Sequence, residues 1–197
     1  MRLSKLIYET TRYYYLQEFD SVKKETSVRD GLRQLPIRPV YLVSVEHEGK
    51  KNIISIGMFA FFSGKPTLVG VGIAPARYSF DLVRQSGEYV VNVVDEELMK
   101  AVRICGRKSG REVDKFELAK LTPVRGVKVN APLIQESPVS IECKVVKEVE
   151  IGDHVWFIGE VLAVHVRAGY NWKDGLLFKW IGEDGFYYKV GEKTGKF

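Results

Sequence analysis

Arg77 and Ser79 stand two positions apart in GVGIAPARYSFDLVRQSGEYVVNVVD (residues 70–95), immediately before a segment patterned as a helix. A guanidinium offers a planar fork of donors, and a helix's first turn leaves backbone N–H groups without intrahelical acceptors. The pair therefore suits an anion such as a phosphate monoester. A second set lies upstream in NIISIGMFAFFSG, where Asn52, Ser55 and Gly57 are interspersed with Ile53, Ile54, Ile56, Met58 and Phe59. Such a strand presents a few hydrogen-bonding edges on an apolar surface, and glycine lets its backbone approach a ligand closely. Together the two sets describe a ligand with a flat apolar body, a few polar edges and an anionic tail. Plainer roles fit the same residues. Ser79 could simply N-cap a helix over residues 79–86, Arg77 could pair at the surface, and the polar strand residues could serve a sheet edge.

The elements that must position these groups are mostly strands. VYLVSVE (40–46) is β-branched and HEGKK is its turn; NIISIGMFAFFSG reads as a second strand and TLVGVGI (67–73) as a third. Gly87 stops the short helix after the corner, and EYVVNVVD follows as a buried strand. Asn92 interrupts it and must be hydrogen-bonded there. DEELMKAVRICG is patterned as a helix, and GRKSGREVDKFELAK as a loop leading to another. From Val139 to Ile151 apolar and polar residues alternate, predicting a strand with one dry face. HVWFIGEVLAVHV is apolar on both faces, so it is either central to a barrel or covered by another subunit. IGEDGFYYKV carries a hairpin signal at Glu183-Asp184-Gly185. Residues 1–35 are polar and aromatic, with a helix expected near residues 3–18. They read as an N-terminal helical extension, and residues 36–197 as the main domain. The fold class is mainly β with short helices (α+β), of barrel type.

Composition narrows the function. No apolar run approaches the ~20 residues of a membrane-spanning helix, and MRLSKLIYETTRYYY lacks the apolar core of a secretory signal. A cytoplasmic protein with no membrane partner is the expectation. Cys105 and Cys143, with His47, His154 and His165, form neither a disulfide framework nor a metal-ligand spacing, so no metal is expected. Between Lys100 and Lys128 nine Lys/Arg face three acids, whereas the rest is nearly neutral. That basic segment suits an anionic ligand or a solvated face. No aromatic stacking motif accompanies it, so no nucleic acid is expected. Gly70 and Gly72 begin a GxGxxG, but Pro75 takes the third position and the glycines lie within the strand. This excludes a Rossmann dinucleotide site. Glycines there permit tight curvature or the close approach of something flat.

Several segments, in order, resemble the flavin reductase-like family, flavoredoxins included. A Pro-initiated strand precedes an N-x-x-S-x-G strand (Asn52 to Gly57), a turn ending in Pro, a strand, then R-Y-S (Arg77 to Ser79) and G-E-Y-V-V-N. Downstream, CGRKSGREVDKF is similar to the family's C-G-x-x-S-G-x-x-x-D-K-F element, and IGDHVWFIGEV to its G-D-H-x-x-F-I-G-x-V strand. The resemblance spans roughly residues 36–167 and implies an FMN-binding split β-barrel, usually a homodimer with flavin near the subunit interface. It implies that Asn52, Ser55, Ile56, Gly57, Met58 and Phe59 lie along the flavin ring, and that Arg77 and Ser79 hold the phosphate. Lys115 matches the lysine of D-K-F and would favour negative charge on reduced flavin. His154 matches the histidine of G-D-H, placed near the flavin or the hydride donor as the catalytic candidate. Met58 departs from the family's frequent large aromatic. The activity implied is hydride transfer from NAD(P)H, a nicotinamide nucleotide, to flavin. The alternative is a flavoredoxin-type electron carrier that holds FMN tightly and serves a redox protein partner.

Overall fold

The computed structural model describes residues 23–35, 38–178 and 187–191. The chain divides into two compact units, residues 1–35 and 36–197. In the first, a short helix α1 (Val28–Leu32) is capped by Ser27, whose side chain accepts from the Asp30 N–H. The expected helix over residues 3–18 lies outside the described residues.

The second unit runs β1 (Arg38–Pro39), β2 (Tyr41–His47), β3 (Lys50–Ile56), β4 (Phe59–Gly64), β5 (Thr67–Ile73), α2 (Tyr78–Ser86) and β6 (Glu88–Val93). It continues with α3 (Met99–Arg107), α4 (Lys115–Ala119), β7 (Pro123–Val124), β8 (Leu133–Ile134), β9 (Val139–Ile151), β10 (His154–Val166), β11 (Leu177–Phe178) and β12 (Tyr187–Tyr188). Seven strands form one antiparallel sheet in the order β3-β2-β6-β9-β10-β5-β4. The fold is mainly β with short helices, the split barrel that the resemblance implied. The hairpin expected at Glu183–Gly185 falls outside the described residues.

That strand order corrects one expectation. NIISIGMFAFFSG is two strands, broken at Gly57 and Met58, and they occupy opposite edges of the sheet. Only two residues join the edges, so the sheet must curl until β3 and β4 converge. The Gly72 N–H donates to Met58 O at 2.9 Å, tying this corner to β5.

Alternation sorts the strands' side chains into separate cores. Val43, Val45, Val71, Ile73, Tyr89 and Phe157 fill the barrel with Phe80 and Leu82 of α2. Leu42 and Ile53 face α3 and α4, packing with Val102, Cys105 and Phe116. Burial of about 25 cal/mol per Å² of apolar surface drives both sets together. Gly70 and Gly72 leave room for the protein's own bulk: a Cβ at Gly70 would strike Phe62, and one at Gly72 would stand 3.1 Å from Met58.

One strand expectation holds and a second needs amendment. β10 is central, between β9 and β5, and its far end leaves Val164 and Val166 exposed. In β9 the supposedly wet face is dry at its start, where Ser140 and Glu142 are buried. Segment 125–134 covers them. Ser140 joins Asn92, which donates to Leu42 O and Ser44 Oγ and accepts from Ile134 N–H and Ser140 Oγ. Asn92 is thus fully engaged, as a buried amide must be.

Candidate functional site

A cleft of about 550 Å³ opens where the two edge strands converge, floored by β3 and walled by the α2 corner and the loop after α3. Asn52, Ser55, Ile56, Gly57, Met58, Arg77, Ser79, Lys115 and His154 all line it. Phe59 does not line it: its ring packs on Tyr41, centroids 4.6 Å apart, because β4 turns it toward the barrel.

At the corner, α2 begins one residue earlier than expected. Arg77 is its N-cap, in extended backbone with no capping side-chain bond, and Ser79 lies inside the first turn. Ser79 is therefore not the cap. Buried almost completely, its Oγ instead accepts from Asn52 Nδ2 at 2.8 Å, joining the strand set to the corner set. The bond leaves Asn52 Oδ1 buried without a partner. Arg77 is exposed, and no carboxylate pairs with it among the described residues. Ser55 spends its hydroxyl proton on Val102 O of α3, 2.7 Å away, and keeps its lone pairs.

Lys115 is no surface residue. Asp114 caps α4 by accepting from the Phe116 and Glu117 N–H groups, Phe116 enters the core, and Lys115 is only 5% exposed. Its Nζ donates to Ile53 O and Cys105 O at 2.8 and 2.9 Å. Burial lowers its pKa, and nearby Arg77 pushes the same way. Two neighbouring cations, one of them desolvated, favour an anion between or beside them. Burial raises the Cys105 thiol to about 11, so this cleft sulfur stays protonated near neutrality. His154, which also lines the cleft, holds Nδ1 2.7 Å from Asp153 Oδ1, which keeps the Asp153 carboxyl below its ordinary range.

Sequence reasoning passed over several cleft-lining residues, among them the end of α3 and the loop after it, Gly106 to Arg111. A Cβ on Gly110 would overlap Asn52 Oδ1 and stand 2.9 Å from the Tyr78 ring. Arg111 reaches Asp81 and Ala76 O. The basic surplus after Lys100 and the C-G-x-x-S-G element marked this loop, but neither indicated which wall it would build.

Residues 33–180 match the family model described as Flavin reductase like domain. An uncharacterized protein of Archaeoglobus fulgidus is 43% identical over 141 residues, covering 71% of this chain and 77% of that relative. A ferric-chelate reductase (NAD(P)H) of the same organism is 31% identical over 129 residues, covering 64% and 75% respectively. Among solved structures, flavoredoxin from Methanosarcina acetivorans is similar with a TM-score of 0.78 at 26% identity, covering 89% of this chain and 95% of that one. Among the described residues, no helix is long and apolar enough to cross a membrane.

Proposed function

Because this chain belongs to the flavin reductase-like domain family, we propose that it is an FMN-binding oxidoreductase passing a hydride from NAD(P)H to flavin. The observation that carries the reading is the gathering of Asn52, Arg77, Ser79 and Lys115 around one cleft. Its volume suits a cofactor, since ligand pockets run about 300–1,000 Å³. The donor set also fits FMN. Among the described residues the Arg77 fork has no ion-pair partner, and the first turn of α2 turns its free N–H groups toward the same corner. Asn52 borders the same cleft, its Oδ1 buried without a partner beside Gly110. Gly57 leaves bare backbone among Ile54, Ile56 and Met58, where a flat ring can lie.

In this reading Arg77 and Ser79 hold the phosphate, Lys115 places positive charge beneath the ring, and His154 orients the hydride donor. Bound FMN supplies the redox chemistry, accepting a hydride at its ring, while the protein supplies position and electrostatics. The exposed Val164 and Val166 at the end of β10 support a homodimer. Similarity to a flavoredoxin favours a second reading, an electron carrier for a redox protein partner.

One titration separates these readings. FMN added to the full chain should change its absorbance and fluorescence on binding, and anaerobic NADH or NADPH should then bleach it. No spectral change at saturating FMN overturns the proposal. Bleaching by dithionite but by neither nucleotide selects the carrier. His154→Ala should slow bleaching by nucleotide with FMN affinity nearly unchanged, and equal rates would remove His154 from the hydride path.

A further inference from the structure

We infer that Arg111 is a positioning residue: it clamps the loop Lys108–Arg111 onto the α2 corner, so that two separate segments make one anion site. The inference rests on reading the cleft as a flavin nucleotide site.

The loop is folded on itself but weakly tied elsewhere. The Glu112 and Val113 N–H groups donate to Ser109 O, and the Arg111 N–H donates to Ser109 Oγ. Arg111 then reaches across. Nη1 donates to Ala76 O at 3.2 Å, Nη2 to Asp81 Oδ2 at 2.8 Å, and the guanidinium sits 5.2 Å from the Tyr78 ring centroid. Ala76 immediately precedes Arg77, and Asp81 lies in the first turn of α2. One side chain therefore grips both sides of the Arg77–Ser79 corner.

Gly110 explains why a clamp is needed. With no side chain, it lies flush against Asn52 and Tyr78, at a distance no Cβ could share. That closeness covers Asn52 Oδ1, which gains no donor in return. A buried unpaired acceptor is unfavourable, so Asn52 does not hold the loop down, and the Arg111 fork must. Both partners of the ion pair are about half exposed. A pair so exposed adds little to global stability, and losing it should free the loop without unfolding the domain.

Asp81→Asn gives a test in which charge and position predict opposite signs. Asp81 does not line the cleft. Removing its negative charge would by electrostatics alone tighten the binding of anionic FMN. Loss of positioning should instead weaken binding about three- to tenfold, mainly through faster release. Arg111→Lys, which keeps the charge and loses the fork, should behave alike. The double variant should be scarcely worse than either single one. In the ligand-free protein, amides from Ser109 to Val113 should exchange hydrogen faster in Asp81→Asn, with the strands unchanged. Unchanged exchange, or FMN binding that is unchanged or tighter in Asp81→Asn, overturns the inference. If the parent takes up no FMN, the flavin reading fails and hydrogen exchange alone decides the clamp.

Discussion

Arg77→Ala is expected to weaken FMN binding roughly ten- to hundredfold while leaving riboflavin binding nearly as it was. The lost contacts would be charge-assisted hydrogen bonds, worth about 1.5–3 kcal/mol, with ~1.4 kcal/mol per factor of ten. Nothing structural should mask the effect. Arg77 is exposed, makes no capping side-chain bond, and pairs with no carboxylate among the described residues. Its backbone, which donates to Ala74 O and accepts from the Phe80 N–H, survives the substitution. Riboflavin carries the same ring and ribityl chain without the phosphate, so it separates a lost phosphate contact from general damage to the cleft. Isothermal titration of both ligands against parent and variant gives the ratio directly. If the FMN-to-riboflavin affinity ratio is unchanged, Arg77 does not hold the phosphate.

Glu142→Ala should cost stability on a comparable scale, about 3 kcal/mol or more, far from the cleft. Glu142 is completely buried, and its carboxylate accepts the Val127, Lys128 and Val129 N–H groups at 3.1, 2.7 and 2.9 Å. His165 Nε2 lies 2.6 Å away, as a donor when protonated at that nitrogen. Alanine would strand three converging N–H groups, each costing about 1–3 kcal/mol when left unsatisfied. Chemical denaturation of the parent and Glu142→Ala measures this, and a change below about 1 kcal/mol would show that water or a shifted loop replaces the carboxylate.

The same site predicts an acid limb. Burial pushes the Glu142 carboxyl up, but the His165 bond and the three backbone bonds outweigh it, so its pKa falls below the ordinary value near 4.5. A carboxyl lower in the folded than in the unfolded chain stabilises fully above the unfolded value. That stability is lost as pH falls through the folded one. Glu142→Gln removes this titration at nearly constant size. Melting temperature should therefore decline less steeply in Glu142→Gln than in the parent below about pH 4.5. Parallel acid limbs would mean that other carboxyls set the loss.

Local patterns in the sequence determined most elements. β-branched runs with turn residues between them placed β2, β5 and β6, and Gly87, in left-handed backbone at φ 66°, ends α2 where expected. Motif order indicated the family and gathered most of the cleft, since Asn52, Arg77, Lys115 and His154 each sit in a short recognisable string. The tertiary structure alone decided what depends on distant segments. NIISIGMFAFFSG reads as one continuous strand because apolar residues recur on both sides of Gly57, yet closing the barrel splits it between opposite sheet edges. Glu142 falls on the polar side of an alternating strand, and only the covering segment 125–134 makes that side dry and supplies its N–H donors. Ser79 has the residue type of a cap, but Asn52, 27 positions earlier, engages its hydroxyl from a neighbouring element. Periodicity and propensity act over a few residues, whereas partnership across a curled sheet is set by strand order and curvature. These polar groups took their roles from that long-range geometry.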